Sequence, residues 1–308
     1  MTTHLNSTPD AAAAGTWRLG DRTVNRIGYG TMRVAGAPTA PKLKDRAESL
    51  AVLRHAVELG VNHIDTAAFY FLPTRSVNEL ISTALQPYAE DLVIATKVGP
   101  GRSRDGGFEE YARPEELRAQ VEENLRQLGR DHLDLVNLRW GAGLERVPGS
   151  LAEHFGALAA LREAGLIRNL GVSNVTEEQL VEAMKIAPVV SVQNRYGLTE
   201  REDDALVETC GRHGIAFVPF FSVAAAIPGA LPHGDHHEAG QAEVAEIAQA
   251  HGATPAQIRL AWTLHRGDHV LAIPGTGDLA HLEENIAAGA LRLTADEMAL
   301  LDGIAELS

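Results

Sequence analysis

The chain has 308 residues, with 27 Lys or Arg against 41 Asp or Glu and a formal net charge of −14. That charge disfavours nucleic acid or an anionic membrane as the main partner. Apolar residues make up 45% of the chain, which excludes a disordered or collagen-like protein. No run of about 18 apolar residues is present to cross a bilayer. The single cysteine, Cys210, cannot form an internal disulfide, so we expect a cytoplasmic protein.

The start of the chain is polar and alanine-rich, without the charged region and apolar core of a signal peptide. We expect a disordered tail over residues 1–15. Apolar and polar residues then alternate on both sides of Gly20-Asp21, which predicts a short β-hairpin. No linker or low-complexity tract follows, and residues 16–308 are predicted to form a single domain.

Eight short runs rich in β-branched residues follow, separated by helical patterns. They cover residues 24–30, 61–65, 92–98, 133–140, 166–173, 189–194, 215–221 and 269–275. Eight alternating strands and helices are the number of a closed parallel (β/α)8 barrel. An open doubly wound sheet is the alternative, but no GxGxxG follows a predicted strand. We therefore predict an α/β TIM barrel with a short N-terminal β-hairpin.

Helix signals separate the predicted strands. Residues 50–57 carry apolar side chains on one helical face. Pro114 marks the start of a second helix, which Gly129 ends. Thr176 and Gln179 have the spacing of a capping box at the start of a third.

Polar and charged side chains stand at the carboxyl ends of the predicted strands, the face on which barrels carry their chemistry. Asp65 and Lys97 end neighbouring strands, and we expect them to pair because charge is rare in a barrel wall. Arg139 ends the fourth strand. Hydroxyl and amide groups end the next two strands, at Ser173 and Gln193.

Five strings occur in order along these strands: HIDTAAFY (63–70), ATKVG (95–99), GVSN (171–174), VQNRY (192–196) and IPGTGDLAHLEENI (273–286). Together they resemble the aldo-keto reductase superfamily, from Trp17 to the last helix. The resemblance implies an NAD(P)H-dependent oxidoreductase that reduces the carbonyl group of aldehydes or ketones, with anionic or aromatic substrates as candidates. A small-molecule carbonyl is then the expected partner, and the protein is expected to be a monomer or a weak oligomer.

The resemblance implies Tyr70 as the general acid. A phenol has a pKa of about 10, so alone it is a poor proton donor at neutral pH. Tyr70 follows Asp65 by five positions and can reach over the Lys97 ammonium, and a nearby cation favours the phenolate. Asp65 would hold Lys97 charged, and Arg139 would act as the second donor to the carbonyl oxygen.

The resemblance also implies a nicotinamide cofactor, NADPH with NADH possible. Ser173, Asn174 and Gln193 match positions that hold the carboxamide. Phe220 stands where the family usually stacks a tyrosine on the nicotinamide ring. The other matched positions line the nicotinamide site, the segment after the eighth strand and the adenine end; they are Thr31, Met32, Gly275, Thr276, Gly277, His281, Glu284 and Asn285.

One departure from the family pattern concerns the catalytic site. Arg139 stands where the family usually has histidine, and arginine stays protonated and donates from a planar fork. With Arg102 and Arg104 it is a candidate clamp for an anionic substrate. The alternative is that Arg139 pairs with a carboxylate inside the barrel while the other two lie in a solvated loop.

Two further departures concern the cofactor and the substrate mouth. Relatives that prefer NADPH carry a basic residue after the eighth strand, whereas this chain has Gly275, Gly277 and His281 there. Asp278 adds a negative charge, so we expect weaker discrimination in favour of NADPH. Phe71 follows the tyrosine where a glycine is usual, and it is expected to narrow the mouth.

Three other functions stay open. A nicotinamide-binding sensor would bind the cofactor with little turnover, and Arg139 in place of histidine allows reduction of C=C bonds. A lyase would use Lys97 to form a Schiff base with its substrate.

Four other histidines are not expected to take part in chemistry. We expect no metal site, since His233, His236 and His237 lie in a polar loop without regular spacing. His63 lies inside a strand and is expected to be a hydrogen-bonded core residue.

Overall fold

The structure of the protein, a computed structural model, describes residues 8–36, 43–72, 75–101, 111–220, 222 and 240–304, with residues 71 and 72 described by their backbone alone. Its strands are β1 Thr16–Leu19, β2 Arg22–Asn25, β3 Tyr29–Gly30, β4 His63–Asp65, β5 Phe71–Leu72, β6 Arg75–Ser76, β7 Val93–Val98, β8 Leu133–Arg139, β9 Ile167–Ser173, β10 Val189–Gln193 and β11 Ala216–Phe217. Its α-helices are α1 Arg46–Glu58, α2 Val77–Leu85, α3 Leu117–Leu128, α4 Ala152–Glu163, α5 Glu177–Ile186, α6 Asp204–His213, α7 Gln241–His251, α8 Pro255–His265, α9 Leu279–Ala287 and α10 Ala295–Asp302.

Seven parallel strands pair in the order β11-β10-β9-β8-β7-β4-β3 and curl into a barrel. The eighth position is taken by residues 270–272, where Val270 bridges Phe217 on one side and Ala272 bridges Ile27 on the other. These bridges close the sheet on itself. The predicted (β/α)8 barrel is therefore confirmed.

The strands β1 and β2 form the predicted hairpin, which lies across the amino-terminal end of the barrel. Its Leu19 and Val24 are buried and pack against the interior side chains Val93, Leu135 and Leu271. The hairpin therefore fills the floor of the barrel with apolar side chains. The opposite face, at the carboxyl ends of the strands, is left for chemistry.

The predicted strand over residues 24–30 is wrong as a single element. Val24 and Asn25 belong to the hairpin, and only Tyr29–Gly30 pair with β4. Between them the Arg26 side chain turns inward and donates to the carbonyl oxygens of Gly267 at 2.6 Å and Val270 at 3.2 Å. These bonds satisfy carbonyl groups in the segment that follows helix α8, and the charged Arg26 side chain is buried as a result.

The expected disordered tail over residues 1–15 is also wrong for the part that the structure describes. Residues Ala11–Ala14 form a turn of 3-10 helix, and Asp10 caps it by accepting from the Ala12 amide at 2.9 Å. The Ala11 amide donates to the Leu59 carbonyl at 2.9 Å, and Ala11 is fully buried. This turn packs because its methyl groups fit against the barrel core.

The first and eighth strands approach closely where they leave the barrel. A Cβ built on Gly30 would lie 2.5 Å from the Ile273 carbonyl oxygen. A Cβ built on Gly275 would lie 2.6 Å from the Gly30 carbonyl oxygen. Only glycine fits at both positions of this closing seam.

The helices surround the barrel and follow the predicted signals. Gly129 ends α3 with a left-handed φ of 64°, and Thr176 forms a capping box with Gln179 at the start of α5. Leu50 and Leu53 face the core from α1, as predicted. Among the described residues, no helix combines the length and the apolar character that a membrane crossing requires.

Candidate active site

An ion pair between Asp65 and Lys97 lies at the carboxyl ends of β4 and β7. The Lys97 Nζ is 2.6 Å from Asp65 Oδ1 and 2.8 Å from Oδ2, and it donates to the Thr66 carbonyl at 3.1 Å. Both side chains are buried. Burial alone would lower the pKa of Lys97, but the Asp65 carboxylate and the Tyr70 phenol outweigh it and raise the pKa above its ordinary value.

Lys97 is therefore held as an ammonium ion whose donors are directed at oxygen atoms. An amine must be neutral to attack a carbonyl carbon, so this environment opposes Schiff-base formation. It suits an electrostatic role, in which a fixed positive charge stabilises negative charge on a neighbouring oxygen.

Tyr70 lies above this pair, in the loop after β4. Its amide donates to the Ala67 carbonyl at 3.0 Å, which turns the chain back toward the barrel, and its ring centroid is 5.0 Å from Lys97 Nζ. Phe69 packs edge-on against the ring at 5.2 Å. The half-buried tyrosine thus lies between a buried cation and the open end of the barrel.

Arg139 ends β8 and is buried, with 8% of the residue exposed. Its Nη2 donates to the Gly143 carbonyl at 2.7 Å and its Nη1 to Ser173 Oγ at 3.3 Å. The guanidinium carbon is 5.2 Å from the centroid of the Phe220 ring. Burial lowers the pKa of this guanidinium, and the nearby Tyr70 acts against that shift.

Within the described residues, no carboxylate lies within 4.0 Å of the Arg139 guanidinium, so the predicted alternative of an internal ion pair is absent there. The two proposed clamp partners, Arg102 and Arg104, lie outside the described residues. Arg139 is thus a buried cation with five N–H donors, and in the described part of the chain its guanidinium makes two hydrogen bonds.

Gln193 lies at the end of β10, and the two polar atoms of its side chain differ in their hydrogen bonding within the described structure. Its Nε2 donates to Asp65 Oδ2 at 2.7 Å. Its Oε1 is buried, and no donor among the described residues reaches it. A buried acceptor without a partner costs stability unless a ligand supplies the donor, and an amide N–H group has the chemistry to do so.

Asn174 follows Ser173 with a left-handed φ of 61°, which is rare outside glycine. Its Nδ2 donates to the Trp140 and Glu145 carbonyls, both at 3.0 Å. These bonds fix the loop after β8 and leave the side-chain oxygen as the remaining polar atom.

The other predicted cofactor positions are spread over the same face. Thr31 is fully buried and its hydroxyl donates to the Asp65 carbonyl at 2.9 Å, so it holds the strand end that carries Asp65. Met32, Thr276 and Asn285 are half-buried. Three further positions, Gly275, His281 and Glu284, are exposed, whereas Gly277 is buried.

Two functional candidates were missed by the sequence reasoning. The Tyr111 hydroxyl donates to the Arg139 carbonyl at 2.8 Å, and its ring packs edge-on against Trp140 at 5.5 Å. Lys44 donates from Nζ to the Gly277 carbonyl, so the structure brings a basic group to the segment after the eighth strand. The available signal for Lys44 was its place after the first strand, which adjoins the eighth in a closed barrel.

Several predictions fall outside the described structure. The Phe71 side chain and the histidines His233, His236 and His237 lie outside the described part of the structure. Among the residues that are described, no metal-binding cluster occurs. His63 is buried as predicted, but its Nδ1 has no partner in the described part of the chain, so the expected hydrogen bond is absent there.

Comparison with known proteins identifies the family. The Aldo/keto reductase family model matches residues 26–306. Pyridoxine 4-dehydrogenase of Escherichia coli is 42% identical over 294 residues, which cover 95% of this chain and 99% of that protein. An uncharacterized oxidoreductase of Schizosaccharomyces pombe is 37% identical, covering 97% of this chain and 93% of that protein.

Solved structures agree. A thermostable aldo-keto reductase in complex with epalrestat superposes with a TM-score of 0.76 at 32% identity, covering 94% of this chain and 99% of the other. An aldo/keto reductase from Klebsiella pneumoniae in complex with NADP and acetate superposes with a TM-score of 0.74 at 28% identity, covering 93% of this chain and 94% of the other. The predicted family, enzyme class and nicotinamide cofactor are confirmed: the chain belongs to the aldo/keto reductase family of NAD(P)H-dependent oxidoreductases.

Proposed function

We propose that this protein reduces the carbonyl group of small aldehydes or ketones with NADPH, and that Tyr70 is the general acid. The observation that carries the proposal is the buried Lys97–Asp65 pair beneath the Tyr70 ring, with Lys97 Nζ 5.0 Å from the ring centroid. We expect the enzyme to act in the cytoplasm as a monomer or a weak oligomer.

In this proposal Tyr70 donates the proton from its hydroxyl to the carbonyl oxygen of the substrate. Loss of the proton leaves negative charge on the phenol oxygen, and the Lys97 ammonium stabilises that charge. Asp65 keeps Lys97 protonated and fixes its direction through two hydrogen bonds. The pair is preorganised by burial, so little reorientation is needed during the reaction.

The cofactor fits the residues present. Gln193 Oε1 is a buried acceptor without a partner in the described structure, which suits the N–H group of a nicotinamide carboxamide. Asn174 and Ser173 lie beside it at the end of β9, and Phe220 offers a flat apolar ring. When bound, the reduced nicotinamide supplies a hydride to the carbonyl carbon.

We further propose that the preferred substrate is an aromatic aldehyde with an anionic oxygen near the carbonyl. Arg139 supports this because it is a buried cation without a carboxylate partner among the described residues. Phe69, Tyr70 and Trp140 supply aromatic rings at the same end of the barrel. Pyridoxal, the aldehyde related to the alcohol named in pyridoxine 4-dehydrogenase, carries a ring hydroxyl beside its aldehyde and is the first candidate.

The test is NADPH consumption with a panel of carbonyl compounds. We expect turnover with pyridoxal and with hydroxylated benzaldehydes, and slower turnover with benzaldehyde itself. Tyr70→Phe should bind NADPH and fail to consume it. If the wild-type protein binds NADPH yet consumes none with any panel member, the sensor function replaces the reductase. Product analysis with an unsaturated aldehyde separates carbonyl reduction from C=C reduction.

A further inference from the structure

The segment after the eighth strand contacts the loop between the first strand and α1, although the two are more than 230 residues apart in sequence. Lys44, two residues before α1, donates from Nζ to the Gly277 carbonyl. Its backbone amide donates to the Ala35 carbonyl at 3.1 Å, which anchors the residue. The side-chain stem lies against Gly277, since a Cβ built there would be 2.8 Å from Lys44 Cδ. The ammonium group is thus brought to this segment by defined contacts.

Within the described residues, the Lys44 ammonium forms no direct ion pair, although the pKa of the Asp278 carboxyl is lowered by the His281 amide and also by the Lys44 charge. Among the described residues, no carboxylate lies within 4.0 Å of its Nζ. The nearby Asp278 uses Oδ1 to accept from the His281 amide at 3.0 Å and thereby caps α9. Arg75 donates to the Lys44 carbonyl, which adds a second cation beside the first.

The half-buried ammonium has three N–H donors and bonds one carbonyl among the described residues, so two of its donors have no partner in that part of the chain. It lies on the catalytic face, where loops after the last strands of many barrels bind phosphate. In a chain with a net charge of −14, a local cation is needed to hold a polyanionic ligand. The cap on α9 already uses the His281 amide, so the side chain of Lys44 is the better candidate than the helix end.

We propose that Lys44 binds the 2′-phosphate of NADP(H) and makes the protein discriminate against NAD(H). The inference rests on the proposed nicotinamide function. It differs from the expectation of weaker discrimination, which considered Gly275, Gly277, His281 and Asp278 and did not consider Lys44. Those positions lack a basic side chain, but the first strand's loop supplies one from across the closing seam.

The test is equilibrium binding of NADP+ and NAD+, followed by protein fluorescence without any carbonyl substrate. Lys44→Gln removes the charge and keeps an N–H donor for the Gly277 carbonyl. We expect about 10–150-fold weaker NADP+ binding and an NAD+ affinity within about twofold of wild type. Lys44→Arg should keep most of the discrimination. Gly277→Ala, whose methyl group displaces the Lys44 stem, should lose part of it.

The matched control is Arg46→Gln, which removes one positive charge two residues away, from an exposed side chain that donates to Thr83. We expect no change in the affinity ratio for that variant. Adenosine 2′-monophosphate should compete with NADP+ in the wild type and lose this ability in Lys44→Gln. Competition by adenosine 5′-monophosphate should be the same in both proteins.

Three results would overturn the proposal. The first is unchanged NADP+ affinity in Lys44→Gln with intact thermal stability, and the second is an equal loss for both dinucleotides. The third is an equal effect of Arg46→Gln. Failure of the proposed function is distinguishable, because a wild-type protein that binds neither dinucleotide refutes both proposals, whereas binding without turnover leaves Lys44 supported.

Discussion

Arg139→Met removes a buried cation and keeps an unbranched side chain. Among the described residues, the Arg139 guanidinium makes two hydrogen bonds, to Gly143 and Ser173, and its other N–H donors have no partner there. A hydrogen bond to a charged group contributes about 1.5–3 kcal/mol, so losing one lowers anion selectivity by about 10–150-fold. The assay is the ratio of kcat/KM for a carboxybenzaldehyde and the matched amide.

We expect this ratio to favour the acid in the wild type and to fall by that factor in Arg139→Met. Arg139→Lys keeps the charge and should retain part of the ratio, and Arg139→His should keep activity on neutral aldehydes while losing the preference. High salt should weaken the preference only partly, because the site is shielded from solvent ions. A ratio that is the same in all four proteins would refute anion binding and leave Arg139 with a role in holding the loop at Gly143 or in tuning Tyr70.

Three further substitutions test two other parts of the site and one buried histidine in the core. Tyr70→Phe should lower kcat by about 10²–10⁴-fold with unchanged NADPH affinity, and near-wild-type turnover would exclude it as the acid. Gln193→Met should weaken NADP+ and NAD+ binding equally, by about 2–10-fold in fluorescence titrations; a selective effect would contradict a carboxamide contact. Burial lowers the pKa of His63 from 6.5 to about 4, so the folded state excludes its proton. The contribution of neutral His63 to the free energy of unfolding should be fully present above pH 6.5. It should fall by about 3 kcal/mol as the pH drops toward 4, because the unfolded state then binds a proton that the folded state does not. His63→Leu should flatten that part of a chemical-denaturation series, and an unchanged slope would refute the assignment.

The barrel was predictable because the sequence signals of single strands and helices agree with the alternating order that a closed barrel requires. The strand over residues 133–139 is apolar enough to be buried on both faces, and Thr176 and Gln179 specify the start of α5 independently of the sheet. Asp65 and Lys97 could be paired before the structure was known, since neighbouring parallel strands bring their ends together. Each of these predictions depends on residues close in sequence or on adjacent strands.

The misses depend on contacts between distant parts of the chain. The Arg26 side chain is buried because it donates to carbonyl groups near residues 264–270. The pattern of apolar and polar residues around Arg26 does not reveal these distant partners. Lys44 reaches Gly277 only after the barrel closes, across more than 230 positions of sequence. The side chain of Gln193 is oriented by the bond from its Nε2 to Asp65, and only this orientation leaves Oε1 without a donor among the described residues.

The closing seam affects how a mutational scan of this enzyme should be interpreted. Gly30 and Gly275 stand beside catalytic and cofactor positions, and a methyl group on either would press against backbone oxygen atoms at 2.5 or 2.6 Å. Backbone cannot move aside as a flexible side chain does, so every substitution there should be harmful, whatever its chemistry. A position at this rim that tolerates no substitution can therefore reflect the close packing of two main chains. Only a scan that scores protein abundance alongside turnover would separate such positions from those that bind ligand.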